Sequence, residues 1–132
     1  MCGITGIFNY QTAQEVNTEL LSGMCDSIAH RGPDEEGFFT DQETGVALAH
    51  KRLSIIDIKT GKQPMSNVDE TIWIAFNGEI YNFPELKNEL RGKGYSFRTT
   101  SDTEVIIYMY EEYGEESFAR LNGIFASAIY DK

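Results

Sequence analysis

The sequence predicts an α+β fold built on antiparallel sheet. Three observations carry this: the β-forming runs are short, several are joined by hairpin-like turns, and helical segments fall between groups of strands. Gly and Pro punctuate these segments at regular intervals, with no internal repeat or low-complexity stretch between them.

Each element has its own signature. Ile4 to Asn9 reads as a strand that starts almost at the terminus. Val16, Leu20, Leu21, Met24 and Ile28 recur at helical spacing, which predicts an amphipathic helix from about Val16 to Ala29. Arg31-Gly32-Pro33-Asp34 ends it, because Pro33 cannot continue a helix and restricts Gly32 before it. Gly37 to Thr40 and Val46 to Ile58 are rich in aromatic and β-branched residues and read as strands, separated by the polar turn Asp41 to Gly45. Lys59 to Lys62 forms a further turn. Thr71 to Phe76 is a strong strand candidate that Asn77-Gly78 is expected to stop.

Asn82-Phe83-Pro84-Glu85 opens a helix, with Asn82 as N-cap, Glu85 at the capping-box position and Pro84 in the first turn. It is expected to run to about Lys93 and end at Gly94. Tyr95 to Arg98 reads as a short strand. Ser101-Asp102-Thr103-Glu104 repeats the capping-box pattern and opens a helix through Tyr113, which Gly114 ends. A helical piece near Glu116 to Leu121 precedes Asn122-Gly123 and a last strand, Ile124 to Tyr130. Nothing follows to cover or pair that strand, so the domain is expected to be incomplete at its C-terminus, with an open edge that favours self-association into a homo-oligomer.

Composition narrows the function. Of 132 residues 41% are apolar and 24% charged, the mixture of a chain that buries a core. With 21 acidic against 11 basic residues, the net charge of −10 argues against nucleic acid and anionic membrane surfaces as partners. No apolar run approaches the roughly 20 residues that span a bilayer. Met1-Cys2-Gly3-Ile4 has neither the basic nor the apolar part of a signal peptide. Two cysteines, Cys2 and Cys25, cannot make a disulfide scaffold, so a reducing, cytoplasmic setting is expected. There is no P-loop, no dinucleotide glycine motif, and no Cys/His cluster at metal-ligand spacing. His30 and His50 read as structural histidines, Cys25 as a core residue, and Glu111-Glu112 with Glu115-Glu116 as a solvated face.

Cys2 is the most informative residue. Removal of Met1 would give it both a thiol and a free α-amine. Free cysteine has a pKa of about 8.5, so a nucleophilic role needs a base. The amine, at about 7.7–8.0, is near the operating pH and could serve directly or through a bridging water. While Met1 is retained, that nitrogen is an amide and the base is missing. Asn77-Gly78 reads locally as a hairpin turn; alternatively, an Asn carboxamide beside a Gly N–H offers two neutral donors to one oxygen, as in an oxyanion hole. In His50 to Asp57, Arg52 is either a cationic strand edge or a planar fork for a small carboxylate. Asp102 is either a favourable charge in a helix first turn or an acceptor for a substrate ammonium.

These pieces occur in a recognisable order. Cys2-Gly3-Ile4-Thr5-Gly6-Ile7-Phe8, His30-Arg31-Gly32-Pro33-Asp34, Arg52-Leu53-Ser54-Ile55-Ile56-Asp57, Gln63-Pro64, Asn77-Gly78-Glu79-Ile80-Tyr81-Asn82, Ser101-Asp102-Thr103-Glu104 and Phe125-Ala126 run through nearly the whole chain. The ordered set resembles the glutaminase domain, a class II glutamine amidotransferase, of glutamine-hydrolysing asparagine synthetases. Arg31-Gly32-Pro33-Asp34 favours that branch over amidotransferases serving sugar or purine synthesis.

The resemblance implies a four-layer αββα sandwich of the N-terminal nucleophile hydrolase type, occupying residues 1–132 as an incomplete type-2 amidotransferase domain. By the same resemblance Cys2 attacks the carboxamide of glutamine, while Asn77 and the Gly78 N–H hold the oxyanion. Arg52 binds the α-carboxylate, Asp102 and Glu79 engage the α-ammonium, and Leu53, Ser54, Ile55 and Ile56 line the pocket. No cofactor is implied for this domain. ATP and magnesium belong to a synthetase domain in cis, which makes asparagine from aspartate and is absent from this sequence. Ser127 stands where the family usually has a larger apolar residue. Competing readings are an inert assembly or regulatory module, an amidotransferase with another ammonia acceptor, and a hydrolase of a different amide.

Overall fold

In the computed structural model, which describes residues 2–10, 14–53 and 61–132, strands β1 (Gly3–Phe8) and β2 (Glu35–Asp41) flank β3 (Val46–Arg52) in an antiparallel sheet. A second antiparallel sheet holds β4 (Met65–Ser66), β5 (Ile72–Ile80) and β6 (Gly123–Asp131), with β5 central. Helix α1 (Thr18–Ser27) covers the first sheet, its Leu21 and Cys25 packing with Val16, Ala47 and Ala49. Helices α2 (Phe83–Gly92) and α3 (Asp102–Tyr113) cover the second, where Leu86, Leu90, Val105, Ile106 and Met109 join Ile74 and Phe76. Each such side chain contributes roughly 1.5–3 kcal/mol when fully buried.

The sheets meet face to face. Phe39 stacks on Trp73 with ring centroids 4.2 Å apart, and the Tyr130 hydroxyl bonds Asp41 at 2.9 Å. The layers therefore run helix, sheet, sheet, helices, the αββα sandwich that the family resemblance implies. β3 lies between α1 and the second sheet, so Val46 to His50 are all buried instead of alternating.

Local chemistry explains several boundaries. Asn17 caps α1, its side chain accepting from Leu20 N–H at 2.9 Å, so this helix begins at Thr18 and not at Val16. Ser101 caps α3 through Thr103 N–H, but only half of the expected capping box forms. Glu104 turns instead to the N–H groups of Arg98 and Thr99, at 2.9 and 2.7 Å. Those backbone donors are thereby satisfied without a partner strand, and Tyr95 to Arg98 is not the strand expected of it. Asn82 flanks α2 but makes no capping bond; its carboxamide clamps Arg120 O and Asn122 N–H instead.

The largest correction concerns Asn77-Gly78. It does not stop β5. Both residues lie in the ladder with β6, Asn77 opposite Ala126 and Gly78 opposite Phe125. A Cβ at position 78 would sit 2.2 Å from Ile124 O, at φ +155°, so the pattern that reads as a turn is a close strand crossing that demands glycine. The short β4 escaped sequence reasoning, and the expected stretch Ser54 to Ile58, with Lys59 and Thr60 of the turn after it, lies outside the described residues.

Candidate active site

The site grows from the ends of strands in both sheets. β1 pairs with β3 in the register Gly3↔Lys51, which carries Cys2 to the strand end where Arg52 and Leu53 leave the sheet. Leu53 N–H donates to Cys2 Sγ at 3.4 Å, and Sγ lies 3.7 Å from Leu53 O. Arg31 Nε donates to Cys2 O at 3.0 Å, fixing the backbone that bears the thiol. The turn containing Arg31 is itself held to β3, with Asp34 N–H on Arg52 O at 3.1 Å.

Across the gap, β5 presents Asn77, Gly78 and Glu79, and the first turn of α3 presents Asp102. All face one pocket of about 240 Å³, whose lining includes Cys2, Arg52, Leu53, Asn77, Gly78, Glu79 and Asp102. The structure thus brings together every anticipated site residue among those described; Ser54, Ile55 and Ile56 lie outside them. The Asn77 carboxamide has no hydrogen-bond partner among the described residues, which leaves it available to a ligand.

Charge is arranged unevenly. Arg52 is buried, its Nη1 paired with Glu35 at 2.8 Å, so the guanidinium orientation is set before any ligand arrives. Asp102 is also buried, with Oδ2 accepting Ile80 N–H at 3.0 Å. Burial raises its pKa, an effect partly countered by Ile80 N–H and other backbone donors, and Glu79 nearby raises it further. Such a carboxylate gains from a cation placed beside it.

His50 is not part of the catalytic group. Its Nε2 donates to Phe76 O at 2.9 Å, across the sheet interface, and burial drives its pKa down to about 4. His30 lies in the single turn after α1. The pocket also contains residues that sequence reasoning did not single out for function: Gln63, Tyr81, Thr103 and Ile124. For Gln63 the available signal was its place among the ordered blocks, since local pattern gives its amide no partner.

Comparison with known proteins bears on family and fold. A family model described as a glutamine amidotransferase domain matches residues 1–132. "Asparagine synthetase [glutamine-hydrolyzing] 1" of Bacillus subtilis (strain 168) is 50% identical over 136 residues, covering 100% of this chain and 21% of that protein. "Asparagine synthetase B [glutamine-hydrolyzing]" of Escherichia coli (strain K12) is 43% identical over 132 residues, 99% of this chain and 23% of that one. The chain therefore spans about a fifth of the length of these relatives. Among solved structures, the glutamine phosphoribosylpyrophosphate amidotransferase of B. subtilis, complexed with ADP and GMP, matches with a TM-score of 0.77 over 99% of this chain and 35% of its own. At 22% identity that likeness speaks for the fold alone. Among the described residues, no helix is long and apolar enough to cross a membrane.

Proposed function

The chain belongs to the glutamine amidotransferase domain family, and we propose that it hydrolyses glutamine to glutamate and ammonia through a thioester on Cys2. The observation that carries this reading is the convergence of Cys2, Asn77-Gly78, Arg52 and Asp102 on one pocket. A thiol and two uncharged donors line the same pocket as an acid and a guanidinium, groups that suit a carboxamide and the two charges of an α-amino acid.

The chemistry follows from that division. With Met1 removed, the α-amine of Cys2 takes the thiol proton, directly or through one water. The thiolate attacks the side-chain carbonyl carbon of glutamine, and the carbonyl oxygen becomes an anion. The Asn77 amide and Gly78 N–H stabilise it as charge develops. When the C–N bond breaks, the protonated amine returns its proton to the leaving nitrogen and ammonia departs. Water then adds to the thioester carbonyl, the C–S bond breaks, and glutamate leaves with Cys2 restored as a thiol. Arg52 binds the α-carboxylate and Asp102, aided by Glu79, the α-ammonium. Leu53 donates to sulfur through its N–H, an interaction suited to the anionic form.

In the longer protein, we assign the ammonia to a synthetase domain in cis that uses ATP and magnesium to make asparagine from aspartate. The names of the relatives and the share of their length that this chain covers support that assignment. A cytoplasmic setting accords with two free cysteines. Self-association would draw on the edge of β6 opposite β5, which has no strand partner among the described residues.

Intact-mass measurement and a glutamine-analogue label test the reading together. The processed protein should lack Met1, gain one adduct from an electrophilic glutamine analogue at Cys2, and release ammonia from glutamine. A processed protein that neither labels nor releases ammonia would overturn it.

A further inference from the structure

We propose that Gln63 is a positioning residue for the oxyanion site, its carboxamide replacing a missing strand on the open edge of β5; this rests on the amidotransferase reading above. Two bonds bracket the β5–β6 ladder: Lys132 N–H to Thr71 O at 3.0 Å and Tyr81 N–H to Asn122 O at 2.7 Å. Antiparallel pairs alternate, so odd-numbered residues of β5 exchange bonds with β6, and even-numbered ones turn N–H and C=O to the other edge. On that edge β4 reaches only as far as Ile74. Beyond it the N–H groups of Phe76, Gly78 and Ile80 face no strand among the described residues.

Two side chains take the strand's place. Gln63 Oε1 accepts Phe76 N–H at 2.6 Å, and Asp102 Oδ2 accepts Ile80 N–H at 3.0 Å. Between them the Gly78 N–H has no acceptor among the described residues, and it lines the pocket beside Asn77. The edge therefore offers one donor to a ligand, with both neighbours occupied.

Gln63 does more than satisfy Phe76. Its Nε2 donates to Thr103 Oγ1 at 3.3 Å, in the helical turn that carries Asp102. One carboxamide thus ties the residue before Asn77 to the residue after Asp102. His50 Nε2 grips Phe76 O at 2.9 Å, so the residue that precedes Asn77-Gly78 is held at both its backbone polar groups. The backbone of Gln63 is placed by close passage of β2: a Cβ on Gly37 would stand 1.9 Å from Gln63 O. Loosening this hold would let the two oxyanion donors drift, whereas the carboxylate contact, Arg52, lies on β3, and Asp102 keeps its own bond to Ile80 N–H.

The test uses the complete protein with Met1 removed, comparing parent, Gln63→Met and Thr103→Val. Gln63→Met keeps the length of the side chain and loses both bonds. Its kcat for glutamine hydrolysis should fall about 10- to 100-fold with KM within roughly threefold, the pattern of lost transition-state stabilisation. Affinity for glutamate γ-semialdehyde, whose aldehyde forms a tetrahedral adduct on the thiol, should fall in parallel. Glutamine binding, measured in a Cys2→Ala background, should stay within about threefold. A merely structural role predicts equal losses in both affinities and overturns the assignment, as does a kcat within about threefold of the parent. If Gln63→Met does not fold, Thr103→Val decides: it cuts one end only and should lower kcat about three- to tenfold with the same split, and an unchanged kcat overturns the proposal. A parent that hydrolyses no glutamine defeats the amidotransferase reading and this one with it; an active parent with an indifferent Gln63→Met defeats this one alone.

Discussion

Leu53 donates its backbone N–H to the sulfur of Cys2 at 3.4 Å, so the proposed nucleophile is seated by the residue that follows Arg52, the proposed carboxylate clamp. Cys2 and Arg52 lie at the same end of the neighbouring strands β1 and β3, and their spacing is set by that ladder. Cys2→Ala should therefore abolish glutamine hydrolysis while leaving the pocket able to bind glutamine. In the longer protein, synthesis from free ammonia should persist. Parallel assays with glutamine and with ammonium salts check this, and equal loss of both activities would reject the division of labour.

Asn77→Ala removes the side-chain donor but leaves Gly78 N–H in place. Its kcat should fall by roughly 10²–10³, the usual effect of deleting one oxyanion donor, with KM little altered. Steady-state kinetics suffice; a change below about threefold would take Asn77 out of that role.

Sequence and structure part company in an instructive place. Helix α3 was legible because Ser101 supplies a cap and the apolar run that follows is entirely buried. The sandwich and the pairing of Cys2 with Asn77-Gly78 were legible only through the ordered motifs, since no local rule joins residues so far apart in sequence. Asn77-Gly78 misleads because turn propensity describes an isolated hairpin, whereas here β6 crosses so closely that only glycine fits. Tyr95 to Arg98 misleads for a related reason. Its β-forming side chains pack on the core, Phe97 against Tyr108 among them, while Glu104 takes the backbone donors that a strand would have used. The partners of Gln63 and Asp102 were hidden because both act on backbone N–H groups, whose directions follow from register and not from residue type.

Gly78→Ala tests the crossing. The added Cβ would lie 2.2 Å from Ile124 O and 2.5 Å from the Phe125 Cα, both backbone atoms that cannot step aside. The variant should lose about 2 kcal/mol or more of stability. Hydrolysis should fall too, because the Gly78 N–H, the proposed oxyanion donor, moves with the strand. A urea midpoint shifted at constant slope would report the first effect. An unshifted midpoint with normal activity would show that the strands separate at little cost.

Asp102→Asn separates charge from hydrogen bonding. An asparagine oxygen can still accept Ile80 N–H, so β5 stays in place, but the negative charge facing a substrate ammonium is gone. KM for glutamine should rise about tenfold or more, with a smaller change in kcat. Discrimination against glutaramate, which lacks the α-ammonium, should shrink by a similar factor. If Asp102→Asn leaves that discrimination intact, the ammonium is held elsewhere.

Acid sensitivity should be traceable to His50. It is buried, its Nε2 is committed to Phe76 O, and burial, with Arg52 adding repulsion, lowers its pKa from 6.5 to about 4. Between those two values the unfolded chain binds a proton that the folded chain refuses, so stability must rise with pH across the window and be lost as pH falls through it. The other charged groups lining the cavity beside the ring are Glu35, Glu36, Arg52 and Lys62. Glu35 is paired with Arg52 at 2.8 Å and Glu36 with Lys51, so the comparison with a variant lacking only the ring isolates the histidine. The full effect is on the order of 3 kcal/mol, taking about 1.36 kcal/mol per pKa unit. Denaturation midpoints measured from pH 7 to pH 4.5 should fall steadily for the parent. His50→Gln, which keeps a donor for Phe76 O without a titrating ring, should be less stable at pH 7 and flatter between pH 7 and pH 5. Identical slopes for the two proteins would place the acid sensitivity elsewhere.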